Sequence, residues 1–210
     1  MFGKSFVSVA LLSWTLAGCA ATGAPDPVPN VQQEAPPAEA EATTLVEGPT
    51  ALSITALGSQ AQFAEMALPI VSGQVQLSSD APDSITVESV EVSLKDIVFD
   101  EVVANTAGFR DVKVSLAKPV TTTLSRSQSG DGGFATLNLD LELNWSLVTN
   151  DGITVPLGTQ HIANVPVQLG VYTNESGGLV VDLYGEKKGK VLSSGISDLS
   201  DLAFDLYAEG

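Results

Sequence analysis

The sequence has one cysteine and one histidine in 210 residues. A lone cysteine cannot close an intramolecular disulfide or supply a thiolate zinc site. A lone histidine excludes a multi-histidine metal centre. Basic residues are scarce, with 9 Lys+Arg against 25 Asp+Glu and a net charge of −16. That balance argues against coating nucleic acid or anionic headgroups, because both need a positive field. Aromatics make up only 6%, few for the girdles of a membrane-spanning barrel. No apolar run reaches the roughly 20 residues that a spanning helix needs. What is present is 44% hydrophobic and 16% charged, too apolar for a wholly disordered acidic chain. The length allows one domain plus extra segments.

Residues 1–19 read MFGKSFVSVALLSWTLAGC. Lys4 precedes an apolar run from Phe6 to Ala17, and small residues follow. A charged start, a short apolar core and a small-residue end make a secretory signal. Trp14 belongs to that core. The end, Leu16-Ala17-Gly18-Cys19, resembles the lipobox of bacterial lipoproteins at all four positions. The resemblance implies cleavage before Cys19, a signal peptide over 1–18, and diacylglyceryl (palmitate-type) lipidation of the Cys19 sulfur. Ala20 departs from the aspartate that marks inner-membrane retention in that family, which favours the outer membrane. The alternative is an ordinary signal peptide with a chance cysteine. The sequence has no second cysteine to compete for the role of Cys19.

Residues 20–48 carry Pro25, Pro27, Pro29, Pro36 and Pro37, with Asp26, Glu34, Glu39, Glu41 and Glu47 and no Lys or Arg. A Pro-rich segment of one charge sign cannot bury enough apolar surface to offset chain entropy. We read 19–48 as a lipidated N-terminus and disordered tether. That leaves 49–210 as one domain, with 8 basic and 20 acidic residues.

Periodicity sets the fold class. From Ala135, the odd positions run Leu137, Leu139, Leu141, Leu143, Trp145 and Leu147. The even positions are Thr136, Asn138, Asp140, Glu142, Asn144 and Ser146. Strict alternation makes a strand with one dry and one wet face. Its length predicts bending around a core. Asn150-Asp151-Gly152 marks a hairpin. A three-residue loop with Gly152 left-handed would pair Thr149 with Ile153, Leu147 with Val155 and Trp145 with Leu157, all on the dry face. Val165, Val167, Leu169 and Val171 form a second strand. It turns at 174–178 and returns through Leu179, Val181 and Leu183.

Upstream strands are marked by Val71-Val75-Leu77, Ile85-Val87, Val90-Val92-Leu94 and Val112-Val114-Leu116. A parity change predicts a bulge at Glu88-Ser89. Leu202, Phe204 and Leu206 mark a closing strand, and Ser59–Leu68 is the best helix candidate. We therefore read an all-β domain: a single antiparallel sandwich or a strongly curved, barrel-like sheet. Such alternating strands also fit a membrane-spanning barrel superficially, but a lipid anchor on one would be redundant.

Little in the sequence points to chemistry. His161 is the one imidazole available to a Ser-His-acid site, and no G-x-S-x-G elbow is present. A loop or strand-edge histidine is the simpler reading. Asp131-Gly132-Gly133 and Asp198, Asp201 and Asp205 offer oxygen ligands, without the spacing of a calcium loop. Lys187, Lys188 and Lys190 suit either an acidic partner or a protected strand edge. Leu94–Asp100 resembles Leu199–Asp205. That is either a duplicated strand unit or chance in a strand-rich chain.

The expectation is a non-catalytic, lipid-anchored protein of the bacterial cell envelope. It would sit on the outer membrane, facing the periplasm or the surface, with no cofactor, metal or nucleic acid. Its partners would be the membrane, through Cys19, and an envelope protein or an apolar ligand. Two alternatives remain open. One is a periplasmic carrier in which Leu137, Leu139, Leu141, Leu143 and Trp145 line a cavity for a lipid or other apolar ligand. The other is an envelope hydrolase using His161.

Overall fold

The computed structural model describes residues 44–46, 48–63, 66–103, 105–127, 131–193 and 198–210. The signal segment, Cys19 and nearly all of the tether lie outside these residues. The described chain is all-β and antiparallel. Its strands are β1 (Thr50–Ile54), β2 (Gln60–Phe63), β3 (Met66–Ala67), β4 (Ile70–Ala81), β5 (Ser84–Leu94), β6 (Ile97–Val103) and β7 (Thr106–Leu116). They continue with β8 (Val120–Thr123), β9 (Ser125–Arg126), β10 (Gly132–Thr149), β11 (Thr154–Thr173), β12 (Leu179–Ser193) and β13 (Asp198–Glu209).

Several of these are pieces of one interrupted strand. β1 and β2 lie end to end along one edge of β13. β3 and β4 follow β2 and β1 in the same way. β5 and β6 share one edge of β7, and β7, β8 and β9 together fill the space between β5 and β10. The result is eight staves joined in sequence order: β1–β2, β3–β4, β5–β6, β7–β9, β10, β11, β12 and β13.

The pairs Ser53–Glu209 and Ile54–Ala208 join the first stave to the last and close a barrel. A circuit of paired residues leaves Tyr172 for Val180, Glu209, Ser53, Gln74, Glu91, Ser115 and Glu142, and returns to β11 at His161. The return point is 11 residues from the start. Staggered closure of this kind tilts the strands steeply against the barrel axis.

Alternation explains why the sheet curls. Leu137 through Leu147 are buried at every odd position of β10, against Val165, Val167, Leu169 and Val171 of β11 and Val181 and Leu183 of β12. Each buried Leu or Val contributes about 1.5–3 kcal/mol relative to exposure. Leu202, Phe204 and Leu206 complete the wall. Even positions of β10, from Thr136 to Ser146, face out. An apolar interior with a polar exterior is the reverse of a membrane-spanning barrel, which turns its apolar band to lipid. Packing also reaches back to Val46, 2% exposed, ahead of the expected domain start at 49.

The first predicted hairpin forms. Asn150, Asp151 and Gly152 make the loop, Gly152 has φ +77°, and Thr149 N donates to Ile153 O at 2.9 Å. Leu147 pairs with Val155 as expected. Trp145 pairs with Gly158 instead of Leu157, because Leu157 is an extra residue at a bulge and Gly158 turns left-handed at φ +71°. Ile153 and Val155 are exposed at the tip, beyond the core that would have kept them dry. The second hairpin matches: Thr173 pairs with Leu179 around the five-residue turn. The bulge at Glu88 is present, since Gln76 pairs with Ser89 and Leu77 with Val87.

The Ser59–Leu68 helix does not form. Gln60–Phe63 instead takes the free edge of β13, where pairing and burial of Phe63 outweigh a two-turn helical pattern. The resemblance between 94–100 and 199–205 does not mark equivalent places. Asp96 sits in the break between β5 and β6, whereas Asp201 lies inside β13 with φ +52°.

Candidate functional site

The leucine face of β10 points into the barrel, and other side chains oppose it. A void of about 40 Å³ remains near the axis, lined only by apolar residues that include Leu139, Leu141, Ile162, Leu183 and Phe204. Ligand pockets run to about 300–1,000 Å³. At the upper end of the row, Trp145 stacks on Phe109 with ring centroids 4.5 Å apart, and Phe99 meets Phe109 edge-on at 5.5 Å. The Trp145 Nε1–H is buried without an acceptor.

His161 lies within β11, not in a loop, and on the outer face. Its Nδ1 is 3.6 Å from Glu142 Oε1, with the imidazole largely exposed. Glu142 pairs with His161 on one side and with Ser115 on the other. The carboxylate thus stands between serine and histidine, which are two strands and about 10 Å apart. A Ser-His-acid relay needs the imidazole in the middle. Among the described residues no group of three His, Cys, Asp or Glu side chains is placed to hold a metal ion. The Asp198 side chain lies outside the described residues. Asp201 Oδ1 accepts from Gly189 N at 2.6 Å, and Asp131 accepts from Ser127 Oγ at 3.2 Å.

The three lysines lie along a seam. The β11–β12 ladder runs from Thr173–Leu179 to Val167–Gly185 and stops. Beyond it, β11 pairs with β10 and β12 with β13, and their facing edges part. Lys187 Nζ crosses the gap to donate to Ala163 O, and Lys188 pairs with Glu186. Pro156 and Pro166 occupy the opposite edge. Lysines and prolines are the usual guards of an open edge.

The outer face of β10, β11 and β12 holds a second feature. Phe134 is 62% exposed and Tyr184 45%. Gly170, paired with both Phe134 and Asp182, is buried, and the Phe134 ring lies over it. Beside that ring is a hollow of about 430 Å³, with Gln168, Thr136, Ser125 and Asp182 supplying amide, hydroxyl and carboxylate groups. A neighbouring hollow of about 260 Å³ lies on the other side of Tyr184, lined by Gln60, Gln62, Glu186 and Asp205.

Asp182 Oδ2 accepts the Tyr172 hydroxyl at 3.0 Å. Burial, and then that hydrogen bond, push the Tyr172 phenol up to about 12. Burial, and then the charge of Asp182, raise the Asp205 carboxyl above the usual range. On the opposite flank, Asp140 Oδ1 accepts from Asn164 N at 2.8 Å, where Asn164 is left-handed at φ +54°. That bond, and then Lys118, hold the Asp140 carboxyl below the usual range.

The sequence reading missed Phe134, Gly170 and Tyr184. The available signal was parity: Phe134 precedes the alternating run at a wet-face position, and Tyr184 follows the dry Leu183. Comparison with known proteins gives no match: no family model, no curated protein and no solved structure matches the chain.

Proposed function

We propose that the chain is a bacterial lipoprotein, anchored through Cys19 in the outer membrane, whose barrel serves as a non-catalytic binding or structural module. It works from its outside. The observation that supports this reading is the filled interior: a void of about 40 Å³ falls far below the roughly 300–1,000 Å³ of ligand cavities, so sheet edges, loops and outer hollows are the surfaces left to engage a partner. His161, exposed beside Glu142 with Ser115 beyond it, gives a hydrolase no relay. The anchor and the acidic tether would hold the module off the membrane by up to some tens of ångströms.

Native mass spectrometry of the protein purified from membranes, with palmitate labelling of wild type and Cys19→Ala, tests this. The expected result is an acylated mass with no further bound lipid, and no label in Cys19→Ala. Label retained in Cys19→Ala, or a second lipid carried by the barrel, would contradict it.

A further inference from the structure

We infer that the paired hollows flanking Tyr184 on the outer face are a binding site for an uncharged saccharide chain. The inference stands on the barrel surface alone and does not depend on the lipid anchor.

Four features lead to that ligand class. The first is aromatic exposure. Phe134 and Tyr184 stand out of a sheet face that is otherwise polar. The negative face of an aromatic ring attracts groups with positive edges, and the axial C–H bonds of a pyranose present such an edge. The second is space: the Phe134 ring lies down over Gly170, and the concavity beside it measures about 430 Å³, within the range of ligand sites. The third is the polar lining. Gln168 offers a donor and an acceptor on one plane, Thr136 and Ser125 do so through hydroxyls, and Asp182 keeps Oδ1 for a ligand while Oδ2 holds Tyr172. Vicinal sugar hydroxyls need donors and acceptors side by side. The fourth is continuity. The hollow of about 260 Å³ beyond Tyr184 repeats the chemistry with Gln60 and Gln62, so a linear chain can place consecutive rings on both sides of one aromatic.

Charge narrows the neighbouring classes. No Lys or Arg lines either hollow, so a phosphorylated or carboxylated ligand has no counterion. An organic cation would meet Asp182, half engaged by Tyr172, Glu186, paired with Lys188, and Asp205, so it is the competing class that the test separates. A purely apolar ligand would strand the amide and hydroxyl groups without partners.

The test is calorimetric titration of the full-length protein as purified, in a detergent without sugar headgroups. The probes are maltotetraose, cellotetraose and chitotetraose, with tetramethylammonium as the cationic control. At least one tetrasaccharide is expected to bind. Phe134→Ala and Tyr184→Ala are each expected to weaken it about tenfold, while Tyr184→Phe, which keeps the ring, retains it. Unchanged Trp145 emission would confirm that each variant is folded. Failure of all three tetrasaccharides at millimolar concentration would overturn the inference. So would binding indifferent to both alanine variants, or binding of tetramethylammonium in preference to the sugars.

Discussion

Phe204 lies directly over Gly185: a Cβ on that glycine would sit 2.3 Å from the ring's Cζ. The ring is buried and rigid, so it cannot yield as a flexible side-chain end would. Gly185→Ala is therefore expected to lower stability by about 1–3 kcal/mol, the usual cost of overpacking. Urea denaturation measures it. Phe204→Leu added to Gly185→Ala should recover part of the loss, because the smaller side chain vacates the space.

Trp145 carries a buried N–H with no acceptor. Such a group costs about 1–3 kcal/mol of desolvation, which the stacking on Phe109 offsets only through the ring. Trp145→Ala should cost about 3–5 kcal/mol. Trp145→Phe removes the unpaired donor and keeps a ring, so it should cost markedly less. Equal losses for the two variants, read by circular dichroism melts, would show that the N–H finds a partner after all.

The left-handed Asn164 is held at the β11 bulge by the Asp140 carboxylate. Asn164→Gly should be tolerated within about 1 kcal/mol, because glycine adopts that backbone freely. Asn164→Val should cost about 1–2 kcal/mol more, because a β-branched residue clashes there. Asp140→Asn should matter at neutral pH and not below the lowered carboxyl, where the wild-type group is itself protonated.

Alkaline stability follows from Tyr172. Its folded value of about 12 exceeds the unfolded value of 10.0. Between these values the unfolded chain binds fewer protons than the folded one, so stability falls as pH rises from about 10 to 12. Tyr172→Phe should remove this part of the decline. Asp205 has the same sign at low pH: its folded value lies above 3.8, so its contribution is present in acid and lost as pH rises. Asp205→Asn should be neutral or stabilising at pH 7. Equilibrium unfolding at several pH values checks both.

Much of this architecture was written in alternation. The strict parity of Ala135–Leu147 marks both the strand and the face that turns inward. The hydrophobic register selects the three-residue loop at Asn150–Gly152, because a slip of one residue would invert every side chain. Closure was not legible. It rests on Ser53 and Ile54 meeting Glu209 and Ala208 from opposite ends of the domain, and no local pattern encodes such a pairing. The strand at Gln60–Phe63 was hidden for the same reason, since its conformation comes from the edge of β13. The bulge at Leu157–Gly158 escaped because a glycine inside a strand signals irregularity without saying which residue is extra. The outer hollow was hidden differently: it lies between Phe134, whose ring covers Gly170, and Tyr184, two aromatics 50 residues apart in sequence.

The central claim is that the barrel has a packed core and acts through its outside. Trp145 reports on that core, and it is the only tryptophan of the proposed mature chain, which would begin at Cys19. Titration with dibrominated stearate, whose bromines quench only at near contact, tests the claim most directly. A packed interior predicts blue-shifted Trp145 emission that the fatty acid leaves unquenched. Saturable quenching at one fatty acid per protein would mean that an acyl chain enters the barrel, and would contradict the account.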